Sequence, residues 1–291
     1  MTLLMRLRLT AVGALAVAAM ACGGSPPNGP SPQPTPTPTP SSNAPPVVEG
    51  ITASAPRIEV DGSVTLTATV RDTETAVAQL QYTWKADAGT FDGQGATVVW
   101  RAPREVAAPT NYTITLTVTE VYDAGARQNV VNATGPTVRV HDSVKEIGEL
   151  AMSFLRDFAN SSVSPSSCVR DFSVNCPGRD QEKGDIEDNR RRYEVLNSSL
   201  RLTGARLNSN GTRGDMTVAC SFTSKRIFCD PPDPSDPETL GCVVGAVGTS
   251  GGVCRMTAVY EQDRWWLCTS TFDPNGLAPS GFRGFLSSRG R

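Results

Sequence analysis

One histidine, His141, limits the catalytic chemistry that this 291-residue chain can perform. Serine and cysteine hydrolases use a histidine as general base, so such a triad would have to use this residue, which lies in a connector between two regions of different pattern. In the region that follows His141, three carboxylates and a phenol are of a type suited to proton transfer, namely Asp157, Asp185, Glu187 and Tyr193. None of them lies on a recognisable catalytic motif. We therefore expect no enzymatic activity, no catalytic residues and no cofactor.

The eight cysteines are unevenly distributed along the chain. One is Cys22, and the other seven lie between Cys168 and Cys268. Disulfides persist outside the cytosol, and an odd number of cysteines leaves at least one thiol free or bonded to another molecule. A zinc site is not expected, because the chain has no C-x-x-C pair and one histidine. The spacing suggests two short-range disulfides and leaves the other cysteines unassigned: Cys168–Cys176 and Cys229–Cys242.

Residues 1–21 have the pattern of an export signal. Two arginines precede a short apolar run from Leu9 to Met20, which is shorter than the roughly 20 residues of a membrane-spanning helix and fits a cleavable signal. The segment resembles a bacterial lipoprotein signal, although Ala19 stands where leucine is usual, and a plain secretory signal is the alternative. The resemblance implies that Cys22 is acylated, palmitate included, and anchors the protein to a lipid membrane. It favours the outer membrane, since Gly23 stands where an inner-membrane retention aspartate would be.

Residues 22–44 are predicted to be a linker. Proline occupies every second position from Pro32 to Pro40, which favours extended polyproline II and excludes a helix. At about 3.1 Å per residue, the linker could hold the rest of the chain roughly 60 Å from the membrane. A proline-rich ligand for an aromatic groove is the alternative.

Residues 45–141 are predicted to form strands. Over Ser63–Val70 apolar residues alternate with polar ones, and residues 111–119 repeat the pattern, as in half-buried antiparallel strands. Together with Tyr82-Thr83-Trp84 and the segment 98–103, these runs resemble bacterial immunoglobulin-like domains related to the PKD family. The resemblance implies an all-β immunoglobulin-like sandwich of about seven strands. Related modules sometimes bind calcium in the loop that corresponds to residues 71–74, and an ordinary polar loop is the alternative.

Residues 143–272 are predicted to combine helices and strands. Apolar residues recur at helical spacing from Ile147 to Phe158, and a second helix is predicted over 184–196, with the arginines at 190–192 facing solvent. Four strands follow. This order, with the segment 264–272 at its end, resembles the nuclear transport factor 2-like superfamily, which includes ketosteroid isomerase and SnoaL-type cyclases. The resemblance implies an α+β cone, in which helices pack on a curved antiparallel sheet.

A cone of this type leaves an apolar pocket at its wide end. Core packing is the alternative for each of the six candidate lining residues, which are Phe154, Phe158, Tyr193, Met256, Trp265 and Phe272. An insertion over 225–252 interrupts the predicted strands, and its segment 230–238 alternates acidic residues with prolines. Loops this long are usually functional or stapled by disulfides. Residues 273–291, rich in glycine, serine and arginine, are predicted to be a flexible tail.

The charge balance restricts the partners. The chain has 27 Lys and Arg against 29 Asp and Glu, so no nucleic-acid partner is expected. The sequence therefore predicts a non-catalytic, lipid-anchored protein of the bacterial cell envelope, on the periplasmic or surface face of the outer membrane. In this prediction the sandwich is a spacer, and the cone binds a small apolar ligand or an envelope protein. The alternative is a tethered enzyme of the isomerase or cyclase type that uses the pocket of the cone.

Overall fold

A computed structural model describes residues 43–232, 234–235, 240 and 242–273. Residues from Asn43 onward belong to one compact unit. The predicted signal peptide, the Cys22 attachment site, nearly all of the predicted linker and the predicted tail beyond residue 273 lie outside the described residues. Within the described ranges, no helix has the length and apolar character needed to cross a membrane.

The first eight strands form two four-stranded sheets, with the orders β1-β3-β6-β5 and β2-β8-β7-β4. All their pairings are antiparallel except β2–β8, which is parallel. Side chains from both sheets share one core, which includes Leu66, Trp100 and Leu116. The strands are β1 (Val47–Ala53), β2 (Arg57–Glu59), β3 (Ser63–Arg71), β4 (Gln81–Lys85), β5 (Thr90–Asp92), β6 (Thr97–Arg101), β7 (Thr110–Tyr122) and β8 (Arg127–His141).

Alternation explains why these segments are strands. In β3 the side chains of Val64, Leu66 and Ala68 are buried, while the intervening threonines are exposed. A pleated strand places successive side chains on opposite faces, so this sequence can cover a core on one side and meet water on the other. β-Branched threonine also suits the solvent face of a strand.

The rest of the described chain consists of three α-helices and a third sheet, ordered β12-β11-β10-β9 and antiparallel throughout. Helix α1 starts where the Asp142 carboxylate accepts the Lys145 N–H, at 3.1 Å, and its residues Ile147, Phe154 and Phe158 share a core with this sheet. The elements are α1 (Ser143–Ala159), α2 (Pro165–Cys168), α3 (Arg179–Arg192), β9 (Tyr193–Leu207), β10 (Arg213–Arg226), β11 (Val247–Glu261) and β12 (Arg264–Asp273).

The predicted fold class, an immunoglobulin-like sandwich followed by an α+β cone, is wrong. The protein is mostly β, with 51% of the described residues in strands and 20% in helices, and its architecture is three sheets with three short helices rather than a compact cone. The predicted second helix explains part of the error. Helix α3 ends at Arg192 and has one fully buried side chain, Ile186, so it lacks the apolar face that a helical layer of a cone would need. The chain from Tyr193 to Leu207 is a strand.

Candidate functional site

The chain between β10 and β11 is the candidate site, and residues 227–246 are called the cystine loop below. A disulfide joins Cys229 to Cys242 with a Cα–Cα distance of 5.9 Å, so this predicted pair is present. At the base of the loop, Arg226 and Ala246 pair through a 2.8 Å backbone hydrogen bond. The prolines within the loop cannot donate backbone hydrogen bonds, so a covalent closure replaces the missing ladder.

Two arginines at the end of α3 fix the loop to the helix. Arg191 donates to the Asp230 carboxylate at 2.7 Å, and Arg192 lies 2.9 Å from the other carboxylate oxygen. The hydrogen bond from Arg191 and the charges of Arg192, Arg191 and Arg226 lower the pKa of Asp230, although desolvation opposes them. Ile227 and Phe228 also donate backbone N–H groups to the Arg192 carbonyl. The prediction that these arginines are a solvated face missed this anchoring role.

The third arginine of the run, Arg190, closes the end of α1. Its guanidinium donates to backbone carbonyls of Asp157 and Asn160, each at 2.9 Å, and to that of Val163. The last carbonyls of a helix have no partner within the helix, so a guanidinium is well suited to satisfy several of them. The run Arg190–Arg192 therefore connects α1, α3 and the cystine loop.

The loop exposes a cluster of apolar side chains. Of the fifteen large hydrophobic residues that are exposed in the described chain, six lie on the loop or on the first residue of β11. Their exposed fractions range from 42% to 63%. The Arg191 guanidinium lies over the Phe228 ring, 5.3 Å from its centroid. We call this cluster the apolar tip: Ile227, Phe228, Leu240, Val243, Val244 and Val247.

The predicted pocket residues lie in the interior. Five of them are buried members of the core shared by α1 and the third sheet, and Phe272 is partly buried against that core. Phe154 and Phe158 make edge contacts with Phe172 and Phe222. These contacts are those of core packing, so a ligand at these side chains would have to displace them.

Three of the four side chains suited to proton transfer have structural partners. Asp157 pairs with Arg170 at 2.8 Å, and Glu187 pairs with Lys183 at 3.7 Å on the surface of α3. The Tyr193 hydroxyl accepts from Arg226. These three groups therefore each contact a different partner.

A carboxylate that the sequence did not single out is Glu182 of α3. Burial raises its pKa to about 7, and the neighbouring charge of Asp185 acts in the same direction. Its oxygen accepts from the Ser270 hydroxyl at 3.2 Å, which opposes the shift. Glu182 stands out because it is partly buried and has no ion pair among the described residues, and its position in a highly polar helix gave no signal of this in the sequence.

A polar network connects β2, α1 and β12 where the first two sheets meet the third. The Glu59 carboxylate accepts from the Ser143 N–H at 3.0 Å and from its hydroxyl at 2.9 Å. The same hydroxyl accepts from Arg57 at 2.9 Å and from the Trp265 indole at 3.0 Å. Ser143 is fully buried, and all its hydrogen-bonding capacity is used. We call this region the junction.

His141 lies beside this network and does not form a hydrolase triad. Its Nδ1 contacts both oxygens of Glu146 at 3.0 and 3.1 Å, and its Nε2 lies 3.2 Å from the Tyr260 hydroxyl. That hydroxyl donates to Asp263 at 2.6 Å, and Asp263 is ion-paired with Arg139. His141 is fully buried. No serine or cysteine of the described chain forms a hydrogen bond with its ring.

The remaining cysteines pair over long distances in the sequence. Cys176 is bonded to Cys268, and Cys220 to Cys254. The predicted Cys168–Cys176 pair is therefore wrong, because β12 brings Cys268 to Cys176. Cys168 is a free, buried thiol, and burial raises its pKa.

Metal binding finds no support in the described ranges, where no three His, Cys, Asp or Glu side chains cluster in a way that could hold an ion. In the loop at 71–74, Asp72 accepts backbone N–H groups from Glu74 and Thr75 at 2.8 and 2.7 Å. This is the turn closure expected of an aspartate in a polar loop.

No family model and no curated protein matches the chain. Among solved structures, it is similar to the intermembrane space region of the chloroplast protein ARC6, at 10% identity and a TM-score of 0.30, over 45% of this chain and 95% of that one. A nucleoside hydrolase-related hypothetical protein from Saccharophagus degradans matches at 15% identity and a TM-score of 0.25, over 34% of this chain and 26% of that one. Bd1075 of Bdellovibrio bacteriovorus matches at 7% identity and a TM-score of 0.29, over 78% of this chain and 93% of that one. At these TM-scores the similarities carry no argument about fold or function, and they do not bear on the predicted family resemblances.

Proposed function

We propose that the protein is a non-catalytic envelope lipoprotein whose apolar tip binds a protein partner. The observation that carries this proposal is the concentration of exposed apolar side chains on one covalently closed loop. Apolar clusters of this kind on a surface are commonly interaction sites. Fixing the loop before binding also reduces the entropy that association would cost.

The composition of the tip favours a protein over a small molecule. Protein interfaces bury aliphatic and aromatic side chains at their centre and are enriched in arginine. The tip has this combination, with Arg191 over the ring of Phe228. Small ligands are usually bound in concave sites that enclose most of their surface, whereas the tip side chains are roughly half exposed.

The position of the loop supports a role in presentation. The chain enters the described structure at Asn43, which lies against Glu120 near the hairpin end of β7. The junction lies near the opposite end of β7, where Thr110 pairs with Val140. Next to the junction, the Thr212 carbonyl accepts the Tyr260 N–H. Strand β10 begins at the following residue and runs for 14 residues to the loop. At about 3.3 Å per residue, β10 alone separates the loop from the junction by roughly 40 Å.

Charge substitution on the tip tests this proposal. We expect the double variant V243D/V244D to lose the partner adduct that chemical crosslinking captures with the full-length protein in its native envelope. The matched control is V121D/V130D, which places the same charges on exposed valines of the β7–β8 hairpin. Both variants should melt within a few degrees of the wild type, since exposed substitutions change stability little. An adduct that survives in V243D/V244D, or is lost equally in the control, would contradict the proposal.

A further inference from the structure

We propose that β9 is a dimerisation edge, along which the third sheet pairs with the same strand of a second copy of this chain. The pairing is antiparallel, has its two-fold axis at Leu200 and joins two four-stranded sheets into one. This surface differs from the apolar tip, so the proposal goes beyond the docking function and does not depend on it.

The two outer strands of the third sheet differ in what covers them. Along β12, the Leu267 carbonyl accepts the Ser173 N–H at 2.8 Å, and Phe172 forms a bridge with Leu267. Strand β9 is 15 residues long, contains no proline and, in the part of the chain that the structure describes, pairs with β10 alone. Its side chains Leu196 and Leu202 are also exposed. A long outer strand presents a row of unpaired N–H and C=O groups, to which another strand can bind.

The core-facing side chains of β9 are arranged symmetrically about Leu200. Besides Leu200 itself, they are Tyr193 and Leu207, seven positions away on either side, and Val195 and Ala205, five positions away. When two copies pair over the full length of β9, each core-facing residue lies opposite another, and both cores lie on the same face of the joint sheet. A slip by one residue would place core-facing side chains opposite solvent-facing ones.

The irregularities of β9 have nearly the same symmetry. Its register with β10 shifts twice, where Leu196 and Thr203 have no paired residue on β10. These shifts lie four positions before Leu200 and three positions after it. Bulges bend a strand and commonly protect a sheet edge from pairing. In this dimer the two copies bend at positions that match to within one residue, so the bends are compatible with pairing over the whole strand.

The charged residues select the same register. Glu194 lies six positions before Leu200 and Arg206 six positions after it, so the two-fold axis places each glutamate opposite an arginine of the other copy. Within one chain, Glu194 lies opposite Lys225 on β10. Arg206 lies opposite Asp215, with which it is ion-paired at 3.3 Å. Opposite charges therefore alternate across four strands at each end of the interface, and such cross-strand pairs stabilise a sheet.

Charge reversal at the interface tests the proposal. We expect native mass spectrometry of the full-length protein to show a homodimer whose fraction rises with concentration. E194R and R206E each create two like-charged pairs across the axis, so each should raise the dimer dissociation constant at least about fivefold. The combined variant E194R/R206E restores opposite charges between the copies and should recover most of the lost affinity. It retains the repulsion that each change creates against β10 within a chain, so recovery can arise only between copies.

Controls on other surfaces complete the experiment. E49R makes the same reversal on β1, where Glu49 is ion-paired with Arg71 at 3.0 Å, and V243D/V244D alters the apolar tip. Both variants should dimerise as the wild type does. A monomer at every concentration would overturn the proposal, whether another protein or another segment of this chain covers β9. Equal weakening by either control, or a combined variant no better than the single variants, would also overturn it.

Discussion

The junction and the cystine loop both use arginines and carboxylates, but with opposite consequences for the side chains around them. At the junction, Arg57 and Glu59 saturate the buried hydroxyl of Ser143, and polar groups are removed from water. At the loop, Arg191 and Arg192 hold Asp230 near the surface, and apolar groups remain exposed to water. The polar groups of the junction bond to one another, whereas the apolar side chains of the loop remain available to a partner.

This difference indicates how stability and function are divided. Buried polar networks are costly unless every member is satisfied, so they are sensitive to single substitutions. Surface ion pairs contribute little to folding, and their value at the loop is to fix the geometry of a covalently closed segment. Substitutions at the junction should therefore affect the whole protein, whereas substitutions at the loop should affect binding.

The largest effect is expected for W265A. Trp265 is buried, donates to Ser143 at 3.0 Å and contacts the Tyr260 ring edge to face. Truncation of a buried tryptophan costs about 3–5 kcal/mol, to be measured as the free energy of urea unfolding. W266A is the control, since Trp266 is partly exposed and its ring is covered by Arg264. Equal losses in the two variants would show that the junction has no special contribution.

Much of the strand pattern could be predicted from the sequence, and the contacts of the two sites could not. Alternation over Ser63–Val70 is local, and β3 forms there. The junction bonds join residues 84 to 124 positions apart, and no local pattern encodes such pairs. The predicted helix over 184–196 extended past Tyr193 because the apolar spacing there also fits a helix. Pairing with β10 makes the segment from Tyr193 a strand instead. For the cystine loop, two cysteines flanking an acidic, proline-rich segment were a sufficient signal for the disulfide.

A second prediction concerns the loop disulfide. Removing it in C229S/C242S should cost up to about 3 kcal/mol for a closed loop of this size and should accelerate amide exchange from residue 243 to 247. The control, C220S/C254S, removes a bond between the interiors of β10 and β11. That variant should be less stable, but in the molecules that remain folded the amides from residue 243 to 247 should stay protected from exchange. The same loop exchange in both variants would contradict a local role for Cys229–Cys242.

A smaller, pH-dependent effect is expected at Glu182, in the helix that anchors the loop. Its native pKa of about 7 exceeds the ordinary value of 4.5, so the native state holds the proton more tightly than the unfolded state. This contribution to stability is complete below pH 4.5 and is lost as pH rises to about 7. Urea unfolding should show a loss on the order of 2 kcal/mol over that interval. E182Q should remove the dependence, and E187Q, on the exposed side of α3, should retain it.

The measurement that tests the central claim most directly is site-specific photo-crosslinking in the native envelope. A photoreactive residue is placed at Phe228 or Val244 of the apolar tip, or at Val130 or Val47, which are similarly exposed on β8 and β1. We predict that both tip positions give an adduct with one and the same partner protein and that Val130 and Val47 give none. Adducts from all four positions alike, or none from the tip, would contradict the claim that the cystine loop is the docking surface.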